Sequence, residues 1–287
     1  MSESETTEFV GREEDIQALK DAWDAAASGK AQTHHVTAPL NGGKHVLVSS
    51  ACRYAHTNTA SSIVIRTALS ETATQNIMLA LYSSLYSGVL SKPELKGKVE
   101  MVMTMRAASA GERTKRWLEN FVNNIKSIQP TDPGEQHKVN IPQDNPLLGY
   151  IEIISVLASE FPVLLDFRGV HNVYSLPFFT TINALHSRAH SNPGLNLMLV
   201  LQSEGVPGNE NWIAPPFQLF LEQYSAQVNT LVVEPWNTAE TTKYLESKSY
   251  SLEHAAKITE LNSGRPVLIA EMAKWAEDDA EFAAKLP

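Results

Sequence analysis

The residues best suited to chemistry lie together in Thr33-His34-His35-Val36-Thr37-Ala38-Pro39-Leu40-Asn41-Gly42-Gly43-Lys44-His45. A short apolar run enters a Gly-Gly-Lys turn, and a helix-like segment leaves it. That is the layout of a phosphate-binding loop, in which a glycine and a four-residue spacer precede Gly-Lys and a Ser or Thr. Gly43 and Lys44 match the pattern, whereas Ala38 replaces its first glycine and His45 its hydroxyl residue. In such a loop, backbone amides and a helix N-terminus cradle phosphates. The lysine reaches the outer phosphates and the hydroxyl holds magnesium. Lys44 can still meet a phosphate. His45 cannot serve as a hard oxygen ligand for magnesium. The shape of the loop is kept and part of its chemistry is lost.

Other candidate groups carry less. His34 and His35 are adjacent on a strand, so one is expected to point inward and one outward, and a metal pair is disfavoured. His186 and His190 lie four apart on a helix without a third ligand, so a helix surface is expected. No Gly-x-Ser-x-Gly elbow supports a serine hydrolase. Cys52, the one cysteine, excludes an internal disulfide and is read as a small packed residue. Arg113, Lys115 and Arg116 form a basic cluster, either a solvated helix face or a contact for phosphate or nucleic acid.

The elements that must position these groups follow from periodicity. Ile16, Leu19, Trp23 and Ala27 recur at helical spacing, predicting an amphipathic helix over 12–28 with acidic residues in its first turn. Residues 1–8 read as a disordered tail. Helix is expected over 44–54, 72–87, 92–128, 147–160, 176–190 and 217–225. Strands are expected before the loop and at 61–68, 161–167, 195–201 and 230–233. The proline-bearing segment 129–146 reads as a loop. Three helices, near 238–248, 251–262 and 266–285, close the chain. The nearly all-apolar strand 195–201 belongs in the middle of a parallel sheet covered on both faces. The expected fold is α/β, a parallel sheet flanked by helices with a small C-terminal helical domain.

Bulk properties narrow the function. The chain has 287 residues, enough for one large domain and a small one, and a formal net charge of −9. That balance argues against nonspecific nucleic-acid binding. No apolar run reaches the roughly 18 residues of a membrane span. The acidic, polar N-terminus is unlike a signal peptide, and a cytoplasmic protein is expected.

Several segments, in order, resemble the AAA+-like ATPases of the STAND and origin-recognition type. Phe9-Val10-Gly11-Arg12-Glu13 resembles the entry motif that packs beside the nucleotide base. Val36 through His45 lies on the Walker A segment, Pro162 through Tyr174 looks like Walker B, and Leu197 through Gln202 resembles the sensor 1 strand. Val233-Glu234-Pro235-Trp236 with Thr238-Ala239-Glu240 is similar to the junction into the lid, and Ser263-Gly264-Arg265-Pro266 to the lid motif. The resemblance implies a P-loop NTPase-like core over 9–235, with an insertion at about 88–146, and a helical lid over 236–287. In the family, the apolar Walker B run ends in two acidic residues. The gapless register puts Arg168 and Gly169 at those positions, while a shifted one makes Asp166 the metal carboxylate, followed by Phe167. Glu160 or Glu204 could substitute, though nothing in their spacing asks for them.

The resemblance therefore implies a catalytically degenerate module that binds proteins, scaffolds or self-assembles, with no catalytic residue and no metal ligand of its own. Two alternatives stay open. One is an ATP switch, in which Gly11, Arg12, Asn41, Gly42, Gly43, Lys44, His45, Asp166 and Arg265 hold ATP or ADP. The other is a DNA-associated accessory factor acting through Arg113, Lys115 and Arg116.

Overall fold

A computed structural model describes residues 11–69, 74–128, 141–205, 213–279 and 281. Among the described residues, five strands form one sheet: β1 (Gln32–Ala38), β2 (Ile63–Ala68), β3 (Val163–Arg168), β4 (Leu197–Glu204) and β5 (Asn229–Val232). Their spatial order is β2-β3-β4-β1-β5, and every neighbouring pair is parallel. Parallel neighbours need crossovers, and helices supply them. They are α2 (Lys44–Asn58) after β1, α7 (Leu176–Ser191) after β3 and α8 (Pro215–Gln223) after β4. Among the described residues, four helices separate β2 from β3: α3 (Thr74–Leu90), α4 (Pro93–Ser109), α5 (Glu112–Ser127) and α6 (Pro146–Glu160). The expected α/β architecture is the one observed.

Alternation along the strands splits the core into two layers. Leu164, Met198 and Val200 pack with Val36 and Ala38 against α2 and the N-terminal helix α1 (Glu13–Ala27). Val163, Leu165, Phe167, Leu197, Leu199 and Leu201 face the larger core under α3 to α8. Helices α4 and α5 join that core through Leu95, Val99, Met103, Leu118 and Phe121. The expected single stretch of helix over 92–128 is two helices, with the turn at Ala110-Gly111. Most of the expected loop at 129–146 lies outside the described residues, as do the expected tail at 1–8 and Phe9-Val10 of the entry motif.

Covering both faces changes two readings. His34 and His35 are both buried, because neither side of β1 meets solvent. His186 is buried rather than on a helix surface: its Nδ1 meets Thr33 Oγ1 at 2.9 Å and its Nε2 meets Gln227 Oε1 at 2.9 Å. His190 alone of that pair is exposed.

A third apolar cluster joins Trp236, Tyr244, Leu245, Ala255, Ile258, Ile269 and Ala273. It ties together α9 (Thr238–Ser247), α10 (Ala255–Leu261) and α11 (Pro266–Asp278). A reciprocal cap starts α9: Asn237 Oδ1 accepts from Glu240 N, and Glu240 Oε2 accepts from Asn237 N. Pro266 opens α11, where its missing N–H costs nothing. Among the described residues, no helix is long and apolar enough to cross a membrane.

Candidate functional site

Register brings the site together at the carboxyl ends of three adjacent strands, where parallel sheets present their ligands. Ala38 of β1 pairs with Glu204 of β4, and Gln202 of β4 pairs with Arg168 of β3. The loop therefore emerges directly beside Gln202, Ser203 and Glu204. Asn41 and Gly43 both take positive φ, at 63° and 86°. Gly42 cannot carry a side chain without displacing its surroundings, since a Cβ there would stand 2.8 Å from Ala38 Cβ and Pro39 O. Gly43 is the N-cap of α2. Among the described residues, the amides of Gly43, Lys44 and His45 have no hydrogen-bond acceptor. Open amides at a helix N-terminus are what an anion needs.

The side chains of the loop are already engaged. Lys44 is 3% exposed, and its Nζ lies 3.4 Å from Glu204 Oε1. Burial pushes its pKa down, and Glu204 pulls it back. His45 Nδ1 meets Gln202 Oε1 at 2.6 Å. Gln202 in turn donates from Nε2 to Asp166 Oδ1. Asp166 Oδ2 accepts from Arg66 Nε at 3.0 Å, and Arg66 also donates to Ser49 Oγ at 2.8 Å. The chain of partners has one direction of donation, so His45 gives its Nδ1 proton to Gln202. Burial lowers the His45 pKa, which keeps the ring neutral.

This arrangement does not fit magnesium. The ion wants several oxygens and bound waters. Asp166 is fully buried, and its two oxygens are taken by Gln202 and Arg66. Burial raises its pKa, with Arg66 and Gln202 opposing. His45 stands where the hydroxyl ligand would be. Arg168, at the end of β3, adds positive charge that bears on both Lys44 and His45, and among the described residues its buried Nε has no acceptor. Gly169 follows it in the left-handed conformation, at φ 80°. Among the described residues, no group of His, Cys, Asp and Glu is placed to hold a metal. Glu160 is remote from the site and pairs with Arg106 at 2.6 Å.

The remaining sequence candidates fall at three places. Arg12 is tied to the C-terminal helices: it donates to Glu234 O and lies 3.9 Å from Glu240 Oε1 and 3.8 Å from Asp15 Oδ2. Gly11, at φ 80°, packs against the Glu240 side chain. Arg265 is the N-cap of α11, and among the described residues its guanidinium has no partner. The same turn reaches the loop, where Val267 N donates to Asn41 O at 3.4 Å. In the basic cluster, Arg113 and Arg116 share Asp144, at 3.6 and 3.4 Å. Cys52 is buried, and its thiol is pushed up to about 12.

Sequence reasoning missed Arg66 and the contacts of Glu204. Arg66 and Asp166 are register partners on adjacent strands, a relationship fixed only by strand pairing. His171 lies within the Walker B-like segment 162–174. Its Nδ1 accepts from Glu204 N at 3.1 Å, so it steadies the strand end that carries Glu204.

No protein-family model matches the chain, and no curated protein sequence matches it. Among solved structures, it is similar to the Walker-type ATPase of Pyrococcus abyssi, with a TM-score of 0.52 and 11% identity. The match covers 99% of this chain and 72% of the other. At that identity the likeness concerns the fold, which is that of a P-loop ATPase. The expected fold class is thus the one found.

Proposed function

We propose that the chain is a catalytically degenerate AAA+/STAND-like module that binds a protein partner or assembles with itself instead of hydrolysing ATP. In this reading, residues 9–235 are the ATPase-like core and 236–287 its lid. The observation that carries it is the hydrogen-bond chain from His45 through Gln202 and Asp166 to Arg66. It engages His45, at the hydroxyl position, and Asp166, the metal carboxylate of the shifted comparison. Arg168 and Gly169 stand where the two acidic residues belong in the gapless comparison. Hydrolysis by this fold needs metal charge and an oriented water, and among the described residues neither His45 nor Gly169 offers a side-chain oxygen for them, while Glu204 is paired with Lys44.

A second reading, a nucleotide switch without turnover, is favoured by one feature. The amides of Gly43, Lys44 and His45, open among the described residues, lie on a loop hydrogen-bonded to α11, whose N-cap Arg265 has no side-chain partner among them. The nucleic-acid reading draws less support, because Asp144 offsets the charge of Arg113 and Arg116. A cytoplasmic setting belongs to the proposal on the sequence alone.

The test is phosphate release from ATP with magnesium, comparing the natural protein with Lys44→Ala. Equal, background rates are expected. Turnover that depends on Lys44 would sink the proposal.

A further inference from the structure

We infer that Glu204 is the resident counter-ion of the phosphate loop, occupying Lys44 as a phosphate oxygen would, so that a polyphosphate enters by exchange with it. The inference rests on reading residues 38–45 as a phosphate loop, and goes beyond that reading in naming what the loop holds and what must leave.

Three observations carry it. First, the carboxylate is bracketed by Lys44 Nζ at 3.4 Å from Oε1 and His171 Nε2 at 3.9 Å from Oε2. His171 Nδ1 accepts from the Glu204 amide, which places the proton of the neutral ring on Nε2. Second, the two partners differ in freedom. Lys44 is 3% exposed and cannot leave, whereas the Glu204 side chain is 29% exposed and can rotate toward solvent. Glu204 therefore keeps a path to water, and exchange needs no movement of Lys44. Third, the surroundings favour an incoming anion over a carboxylate alone. The Gly43, Lys44 and His45 amides have no acceptor among the described residues, and Arg168 Nε is buried without one. A polyphosphate offers several acceptor oxygens, where Glu204 offers two.

The cation that meets the incoming phosphates is then a protein side chain. Arg168 takes the position that the family gives to a magnesium-binding carboxylate, so binding is expected to need no metal.

The experiment is calorimetric titration with pyrophosphate in buffer containing EDTA, at low salt. The proteins are the natural chain, Glu204→Gln, Glu204→Ala and Glu204→Gln combined with Lys44→Ala, each checked for an intact thermal transition. Removing the competing charge is expected to tighten binding on the order of ten-fold in both single variants. The gain should vanish when Lys44 is also removed. Equal affinity in the natural protein and both folded single variants would overturn the inference, as would no binding by any of them. Lys44-dependent ATP hydrolysis would instead remove the proposed loss of catalysis and leave the exchange standing.

Discussion

His45 Nδ1 donates to Gln202 Oε1 at 2.6 Å, which joins the loop to the strand beside it. The residue at the hydroxyl position is therefore one end of a polar chain, and changing it alone cannot rebuild a metal site. Asp166 remains held by Gln202 and Arg66, and no acid stands at Gly169. We expect His45→Thr to give no magnesium-dependent phosphate release from ATP. Measurable turnover in that variant, abolished by Lys44→Ala, would mean that the missing hydroxyl was the only defect.

Arg66 and Asp166 make an unequal pair. The guanidinium is 35% exposed and the carboxylate fully buried. Arg66→Ala leaves a buried charge with Gln202 as its remaining donor. Breaking such a pair is expected to cost about 3 kcal/mol at neutral pH, at the low end because Arg66 is partly solvated. Without Arg66 the Asp166 pKa rises further, so protonation relieves the unpaired charge. The penalty should therefore shrink as pH falls. Urea unfolding of both proteins at neutral and mildly acidic pH reads this directly. A penalty that is small at neutral pH, or that grows on acidification, would contradict the assignment.

The fold was legible because its signals are redundant. The apolar run at 195–201 could only be a strand covered on both sides, and Leu197 through Leu201 are fully or almost fully buried. The turn at the head of α2 was legible because Gly42, Gly43 and Lys44 predict a turn before a helix, and α2 begins at Lys44. Partners that depend on strand pairing were not legible. Nothing in the spacing between Arg66 and Asp166, or between Lys44 and Glu204, announces a contact. The two histidines of β1, both buried, depart from the expectation for a related reason. Alternation says that neighbours face opposite sides, but only tertiary packing decides whether each side is wet.

Buried histidines give the protein a definite response to acid. Burial pushes His34, His35 and His186 from 6.5 down to about 4. The folded state then binds fewer protons than the unfolded state between those values. Stability is full above the ordinary value of 6.5. It falls as pH drops below it, and the loss is complete below the folded value near 4. Each group contributes up to about 3 kcal/mol over that window. Among the described residues His34 Nε2 has no hydrogen-bond partner, so His34→Leu removes one titration at little polar cost. Urea midpoints across this range should fall with pH in the natural protein and less steeply in His34→Leu. Identical slopes would show that His34 is not a neutral buried group in the fold.

The C-terminal helices hang on one glycine. Gly264 takes φ 66°, its carbonyl accepts from Trp236 N at 2.6 Å, and its N–H donates to Thr259 O at 2.9 Å. A Cβ there would collide with Trp236 O and lie 2.9 Å from Pro235 Cβ. Backbone atoms cannot yield as a flexible side chain does, and the left-handed conformation adds strain of its own. Gly264→Ala is expected to cost about 2 kcal/mol or more. The cost should be local, because Trp236 anchors the cluster that holds α9, α10 and α11 together. Hydrogen exchange is the discriminating measurement. Amides of those three helices should exchange faster in the variant, while those of α2 and the central strands keep their protection. Uniform loss across the chain would mean that these helices unfold only with the sheet, and unchanged protection would mean that the turn at Gly264 does not hold them.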